Sequence, residues 1–236
     1  MTFSDTFGGR AAEFFAELGA RPPALSTELA ADGIELLNPY RRTEVLAATG
    51  MFYRKFYNDN RKRLFVLGIN PGRFGGGLTG ISFTDPVALR RDAGIESGIA
   101  GRREASSEFI YRVAREYGGV EAFFASVFLS SVCPLGFVRR GLNYNFYDNP
   151  ALAKWLRPFI AETLRKQAAF GADARRVVLL GTGKLSAYFR QLNDELRLFD
   201  AIIPLEHPRF IMQYRRKNMD SYICRYISAL QPLDEQ

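Results

Sequence analysis

The chain is poor in the residues that build metal and thiol chemistry. In 236 residues it has two cysteines, Cys133 and Cys224, and one histidine, His207. Two thiols make no disulfide framework and fit a reduced cytosolic protein. They fall short of the four thiolates that usually hold an iron–sulfur cluster. One histidine is a poor start for a zinc site of His and Cys ligands. No cofactor and no metal are therefore expected. No run of about 18 apolar residues occurs, so no membrane-spanning helix is expected. The opening, MTFSDTFGGR, carries an acid and lacks an apolar signal core, so a cytoplasmic protein is expected rather than a secreted one. Lysine is scarce as well, with 6 Lys against 26 Arg.

What is present is an apolar, arginine-rich chain. Hydrophobic residues make up 47%, enough for a sizeable core, and the net charge is +7. Basic residues adjoin at Arg41-Arg42, Arg61-Lys62-Arg63, Arg139-Arg140 and Arg215-Arg216-Lys217. Guanidinium forks match phosphate oxygens, so a polyanion is one reading of this charge. A solvated basic surface is the other.

Strand and helix signals alternate. Residues 9–19 read as a helix stopped by Gly19 and Pro22-Pro23. Asn38-Pro39 opens a second, with Asn as cap and Pro in the first turn. Residues 63–68, Val127–Val132, Arg176–Leu180 and Ala201–Leu205 read as buried strands. Helices are expected from Asp85-Pro86, over 107–117, from Asn149-Pro150 to about Phe170, over 184–198 and over 214–230. This alternation predicts a three-layer α/β/α fold around a central four-stranded parallel sheet. No linker separates the first 60 residues from the first strand. One domain over 1–236 is therefore expected, with 1–60 a helical extension on an α/β core of 61–232.

Six glycines follow the first strand between Gly68 and Gly80. A glycine-rich loop at a strand's carboxyl end is where α/β proteins place ligands. Three strands end in a polar residue close to proline: Asn70-Pro71, Ser130-Ser131 before Pro134, and His207-Pro208. Proline holds the preceding residue extended. Asn70, the serine pair and His207 should thus share one cleft along the sheet edge. Two phosphate motifs fail on context. Gly75–Gly80 fits G-x-G-x-x-G but starts seven residues after Gly68 and leads into Ile81-Ser82-Phe83-Thr84, which is no helix start. Gly181-Thr182-Gly183-Lys184 lacks the upstream glycine and has Leu185 where Ser or Thr binds magnesium.

The string Gly68-Ile69-Asn70-Pro71-Gly72-Arg73-Phe74-Gly75-Gly76-Gly77-Leu78-Thr79-Gly80-Ile81-Ser82-Phe83 resembles, without a gap, the first motif of the single-strand-selective monofunctional uracil-DNA glycosylases, G-M-N-P-G-P-F-G-x-x-x-T-G-x-P-F. Val132-Cys133-Pro134-Leu135 resembles that family's N-L-C-P-L segment, and His207-Pro208 its H-P-S-P motif. The likeness spans roughly 60–230 and implies the uracil-DNA glycosylase fold. It implies metal-independent hydrolysis of the bond joining uracil, or a related damaged base, to DNA, without strand cleavage, as the first step of base excision repair. The partner would be single-stranded or mispaired DNA, met by a monomer in the cytoplasm, at the nucleoid when acting.

By that resemblance Asn70 would position water and His207 would donate a hydrogen bond to the leaving base. Ile69, Gly72, Phe83 and Ser131 would contact the base, with Phe83 stacking on it. Three positions depart from the family. Ser131 replaces the base-reading asparagine, leaving Asn143 or Asn145 as alternative readers. Arg209-Phe210 replaces Ser-Pro and would plug the gap left by the extruded base, and Arg73 replaces a proline and would meet phosphate. Lys184 is a further expected phosphate contact. A glycosylase for another altered base, or a silent nucleic-acid-binding module, are the other readings.

Overall fold

The computed structural model describes residues 2–232; Met1 and 233–236, the ends of the expected domain span, lie outside the described residues. The chain runs α1 (Phe7–Ala20), α2 (Thr27–Ala31), β1 (Ile34–Leu37), α3 (Thr43–Phe56), β2 (Arg63–Gly68), α4 (Gly76–Thr79), α5 (Pro86–Arg91), α6 (Ala105–Glu116) and α7 (Val120–Ser126). It continues through β3 (Val127–Ser131), β4 (Gly136–Arg139), β5 (Leu142–Tyr144), α8 (Pro150–Ala168), β6 (Ala172–Leu180), α9 (Lys184–Leu196), β7 (Ala201–Leu205), α10 (Pro208–Tyr214) and α11 (Met219–Leu230).

The central sheet has the order β3-β2-β6-β7 and every pairing in it is parallel. Helices cover both faces, so β2 and β3 are buried along their whole length, as continuous apolar runs require. Gly68 lies opposite Ser131 and Leu180 opposite Leu205. The carboxyl ends therefore finish level, and the loops after them share one edge.

The caps explain where helices start. Asn149 accepts from the Leu152 amide ahead of Pro150, and Asp85 from the Val87 and Ala88 amides ahead of Pro86. Each side chain satisfies an amide the first turn leaves open. The N-terminal extension lies on the sheet. The Phe7 ring sits 5.0 Å from Phe128, 5.5 Å from Tyr57 and 5.9 Å from Phe170.

Several expectations are corrected. Asn38-Pro39 opens only a short 3-10 turn, Pro39–Arg41, before α3. The closing helix starts at Met219, not 214; the basic run 215–217 forms the turn after α10. Within the glycine loop, Gly76–Thr79 closes one helical turn, α4. A second, antiparallel sheet, β1-β4-β5, was not expected at all. Its β4–β5 hairpin pairs Arg139 with Leu142 across a two-residue turn. Both turn residues, Arg140 (φ 51°) and Gly141 (φ 71°), are left-handed, which matches the strand twist.

Candidate active site

The loops at the sheet edge enclose a cavity of about 830 Å³. Asn70 follows β2, Ser131 ends β3 and His207 follows β7, and all three line it together with Ile69, Gly72 and Phe83. The ends of three strands separated in sequence, and the loop carrying Phe83, thus meet at one place. The volume falls within the range that holds a small ligand with a few placed polar groups.

Asn70 is held by backbone on both sides. Its Nδ2 donates to the Tyr144 carbonyl and its Oδ1 accepts from the Phe146 amide, each at 3.2 Å. The two bonds fix which way round the amide sits. They leave one N–H and one lone pair free, enough to hold a water in a set direction.

His207 is the N-cap of α10. It is extended (φ −62°, ψ 135°), as the following proline requires, and its Nδ1 accepts from the Arg209 amide at 3.1 Å. A neutral imidazole that accepts at Nδ1 carries its proton on Nε2. Burial, aided by the Arg209 charge, pushes its pKa down to about 4. The ring is therefore neutral at physiological pH, with a donor left at Nε2.

Phe83 stands 6.0 Å from the His207 ring. Its backbone is left-handed (φ 53°), a conformation few non-glycine residues adopt. The surrounding loop is braced. Thr79 Oγ1 donates to the Thr84 carbonyl at 2.6 Å, Thr84 meets the Tyr111 hydroxyl at 3.1 Å, and the fully buried Asp85 accepts the Glu104 amide at 2.9 Å. Gly68 makes room for the ring, since a Cβ there would stand 2.6 Å from Phe83 Cζ.

The two serines part company. Ser131 lines the cavity, and its hydroxyl has no partner among the described residues. Ser130 points the other way and bonds Gln167 of α8, because neighbouring strand residues face opposite sides of a sheet. The expectation that both serines share the cleft is corrected accordingly. Cys133 is fully buried, and burial pushes its thiol up to about 12, so it is inert.

Arg73, Arg209 and Phe210 line the cavity; Lys184 does not. Lys184 lies 3.7 Å from Asp148 and is largely exposed. Asn143 and Asn145 both line the cavity, and one atom of each side-chain amide is engaged. Asn143 Oδ1 accepts from the Arg73 amide at 3.0 Å, and Asn145 Nδ2 donates to Asp148 at 2.8 Å.

Sequence reasoning missed Phe74, Arg102, Glu104 and Tyr214, all on the cavity wall. The guanidiniums of Arg73 and Arg102 both lie over the Phe74 ring, at 4.4 and 4.3 Å. Phe74 lies inside the glycine loop, where an aromatic among glycines was a usable signal. Arg102 and Glu104 carried none, since they precede α6 in an irregular stretch. Among the lining residues stand four arginines, one carboxylate and no lysine.

A family model of the uracil DNA glycosylase superfamily matches residues 54–231. Among solved structures, wild-type SMUG2 of Pedobacter heparinus matches with a TM-score of 0.88 and 40% identity, over 95% of this chain and 97% of that one. No match was found among curated proteins.

Proposed function

The chain belongs to the uracil DNA glycosylase superfamily, and from that premise we propose that it hydrolyses the bond joining uracil, or a related deaminated base, to deoxyribose in DNA. The observation that carries this reading is His207, a neutral imidazole with Nδ1 occupied and Nε2–H unpartnered among the described residues, in a cavity shared with Asn70 and Phe83.

The target base leaves the stack first, because its sugar bond is out of reach within the duplex. Extrusion costs a few kcal/mol, and less from a mispaired or single-stranded site. Phe83 stacks on the extruded ring; such contacts supply about 1–3 kcal/mol per base. The braced loop around Thr84 and Asp85 keeps that ring in place without reorganisation.

The bond between the base nitrogen and the sugar carbon then breaks, and its electron pair leaves with the base. Negative charge gathers on the base carbonyl, and His207 Nε2–H donates to it. One preorganised donor of this kind lowers a barrier by roughly 2.7–4 kcal/mol. Asn70 holds the water whose oxygen bonds to the cationic sugar carbon. An amide is no strong base, so the water's proton is lost after bond breaking has begun and ends on the departed base or in solvent. The products are free base and an abasic site. With no lysine on the wall, no Schiff base forms and the strand stays intact.

The base edge meets the Ser131 hydroxyl, while Ile69 and Gly72 approach from the β2 loop. A hydroxyl both donates and accepts and rotates to suit, so a site built on Ser131 tolerates more than one deaminated base. Arg73, Arg102 and Arg209 face the backbone phosphates. Lys184, beyond the wall, adds charge to the same sheet edge. We read the chain as one domain acting as a monomer, with the N-terminal helices as structural cover.

The test is direct. Oligonucleotides each carrying one altered base are incubated with the protein in chelator, and abasic sites are opened with alkali. Release of uracil from single-stranded or mispaired substrate is the expected result. Release of another base alone would move the substrate, and release of none would leave a binding module.

A further inference from the structure

Four large apolar side chains stand exposed among the described residues: Met51, Leu142, Phe210 and Tyr214. Three of the four border the cavity; Met51 does not. Leu142 is the most exposed, at 65%. It sits at the tip of the β4–β5 hairpin beside Arg140, which is exposed and forms no ion pair with the described residues. The hairpin issues from β3 and the helix carrying Phe210 from β7, and these are the two outer strands of the sheet.

The same hairpin is fastened to the reaction centre. Asn143 takes the Arg73 amide, and the Tyr144 carbonyl and Phe146 amide clamp the Asn70 side chain. A shift of the tip therefore moves the groups that orient Asn70. An exposed leucine beside an unpaired arginine suits DNA, where apolar wedges enter base steps and cations meet phosphates.

We propose that the β4–β5 hairpin is a second DNA probe, with Leu142 entering the base stack beside the extruded nucleotide and Arg140 on a phosphate, and that its seating positions Asn70 through residues 143–146. This rests on the function proposed above. A wedge needs a stack to enter, so its effect belongs to duplex substrates. Leu142 is a positioning residue; it touches neither the reacting bond nor the water.

The experiment uses the full chain and a duplex holding 2-aminopurine next to an uncleavable 2′-fluoro-arabinouridine opposite guanine. Wild-type protein raises the fluorescence as the neighbouring base unstacks. Leu142→Ala removes about half of that rise or more, and Met51→Ala leaves it intact. On ordinary uracil substrates in single turnover, Leu142→Ala slows the mispaired duplex about ten-fold and the single strand less than about two-fold. An unchanged fluorescence rise, or equal loss on both substrates, overturns the proposal. Arg140→Gly suits the left-handed backbone and keeps the turn. It lowers the slope of log affinity against log salt by about one, and an unchanged slope removes Arg140 from the contact. If no substrate is cleaved, the proposed function fails, while the fluorescence and salt measurements still decide the hairpin.

Discussion

At its first residue β2 encloses a charged side chain completely, and just beyond its last it leaves polar groups open. Arg63 is fully buried, and all five of its N–H donors find acceptors. Nε reaches the Phe124 carbonyl, Nη1 reaches Asp59 and the Arg61 carbonyl, and Nη2 reaches Asp59 and the Phe56 carbonyl. The Phe7 and Tyr57 rings cover the guanidinium at 4.9 and 4.7 Å. Burial raises the Asp59 carboxyl, but hydrogen bonds from Arg61 and Arg63 outweigh it and hold it at about 2. At the far end, His207 Nε2 and the Ser131 hydroxyl have no partner among the described residues, Asn70 keeps two free positions, and Phe83 is left-handed. A fully satisfied buried charge serves cohesion. Unsatisfied groups held rigidly serve a ligand that has yet to arrive.

The contrast breaks differently at each end. The largest effect belongs to the open end. His207→Ala is expected to slow single-turnover uracil release by about 10²–10³, and Asn70→Ala by about 10², each lowering unfolding free energy by only about 1 kcal/mol for the lost cap or hydrogen bonds. At the closed end the signs reverse. Arg63→Met takes one of two arginine partners from Asp59, strands the Phe124 and Phe56 carbonyls, and lowers unfolding free energy by about 3 kcal/mol. The rate of the protein that remains folded stays close to wild type. A rate loss matching that of His207→Ala would erase the distinction.

A smaller effect follows from Gly68, the last residue of β2. Gly68→Ala pushes a methyl group into Phe83, displacing the ring we propose as the stacking partner of the base. About a ten-fold loss in kcat/KM is expected, with little loss of stability. An unchanged kcat/KM would show that the ring position is not critical.

The smallest effect is the order in which the ends respond to acid. The folded His207 pKa, about 4, lies below its ordinary 6.5. Its contribution to stability is complete above 6.5 and is lost as pH falls through about 4. The Asp59 contribution is complete above 3.8 and is lost as pH falls through about 2. Excision by folded protein should stay level from neutral pH and fall only near pH 4. A decline centred near 6.5 would contradict a neutral ring.

Much of the fold was legible in the sequence. β2 and β7 fall on the expected residues because their apolar runs end at Gly68 and at the polar pair Glu206-His207. The caps Asp85 and Asn149 marked helix starts for the same local reasons. The strand tips also marked Asn70 and His207 as neighbours on one cavity wall, since proline fixes the residue before it. The β1-β4-β5 sheet was not legible. Its strands have three or four residues and half-exposed faces, too short for a period to register, and pairing across the fold decides them. That omission hid the clamp on Asn70 and left GLNYNFYD as a plain loop. The direction of Ser130 was legible in principle, because a strand alternates faces.

His207 is the only histidine, so nitrogen-15 NMR of histidine-labelled protein reads this one ring without assignment. A neutral ring with its proton on Nε2, unchanged from about pH 8 to pH 5, is the predicted result. A ring that titrates near 6.5, or carries its proton on Nδ1, would contradict the donor on which the whole account depends.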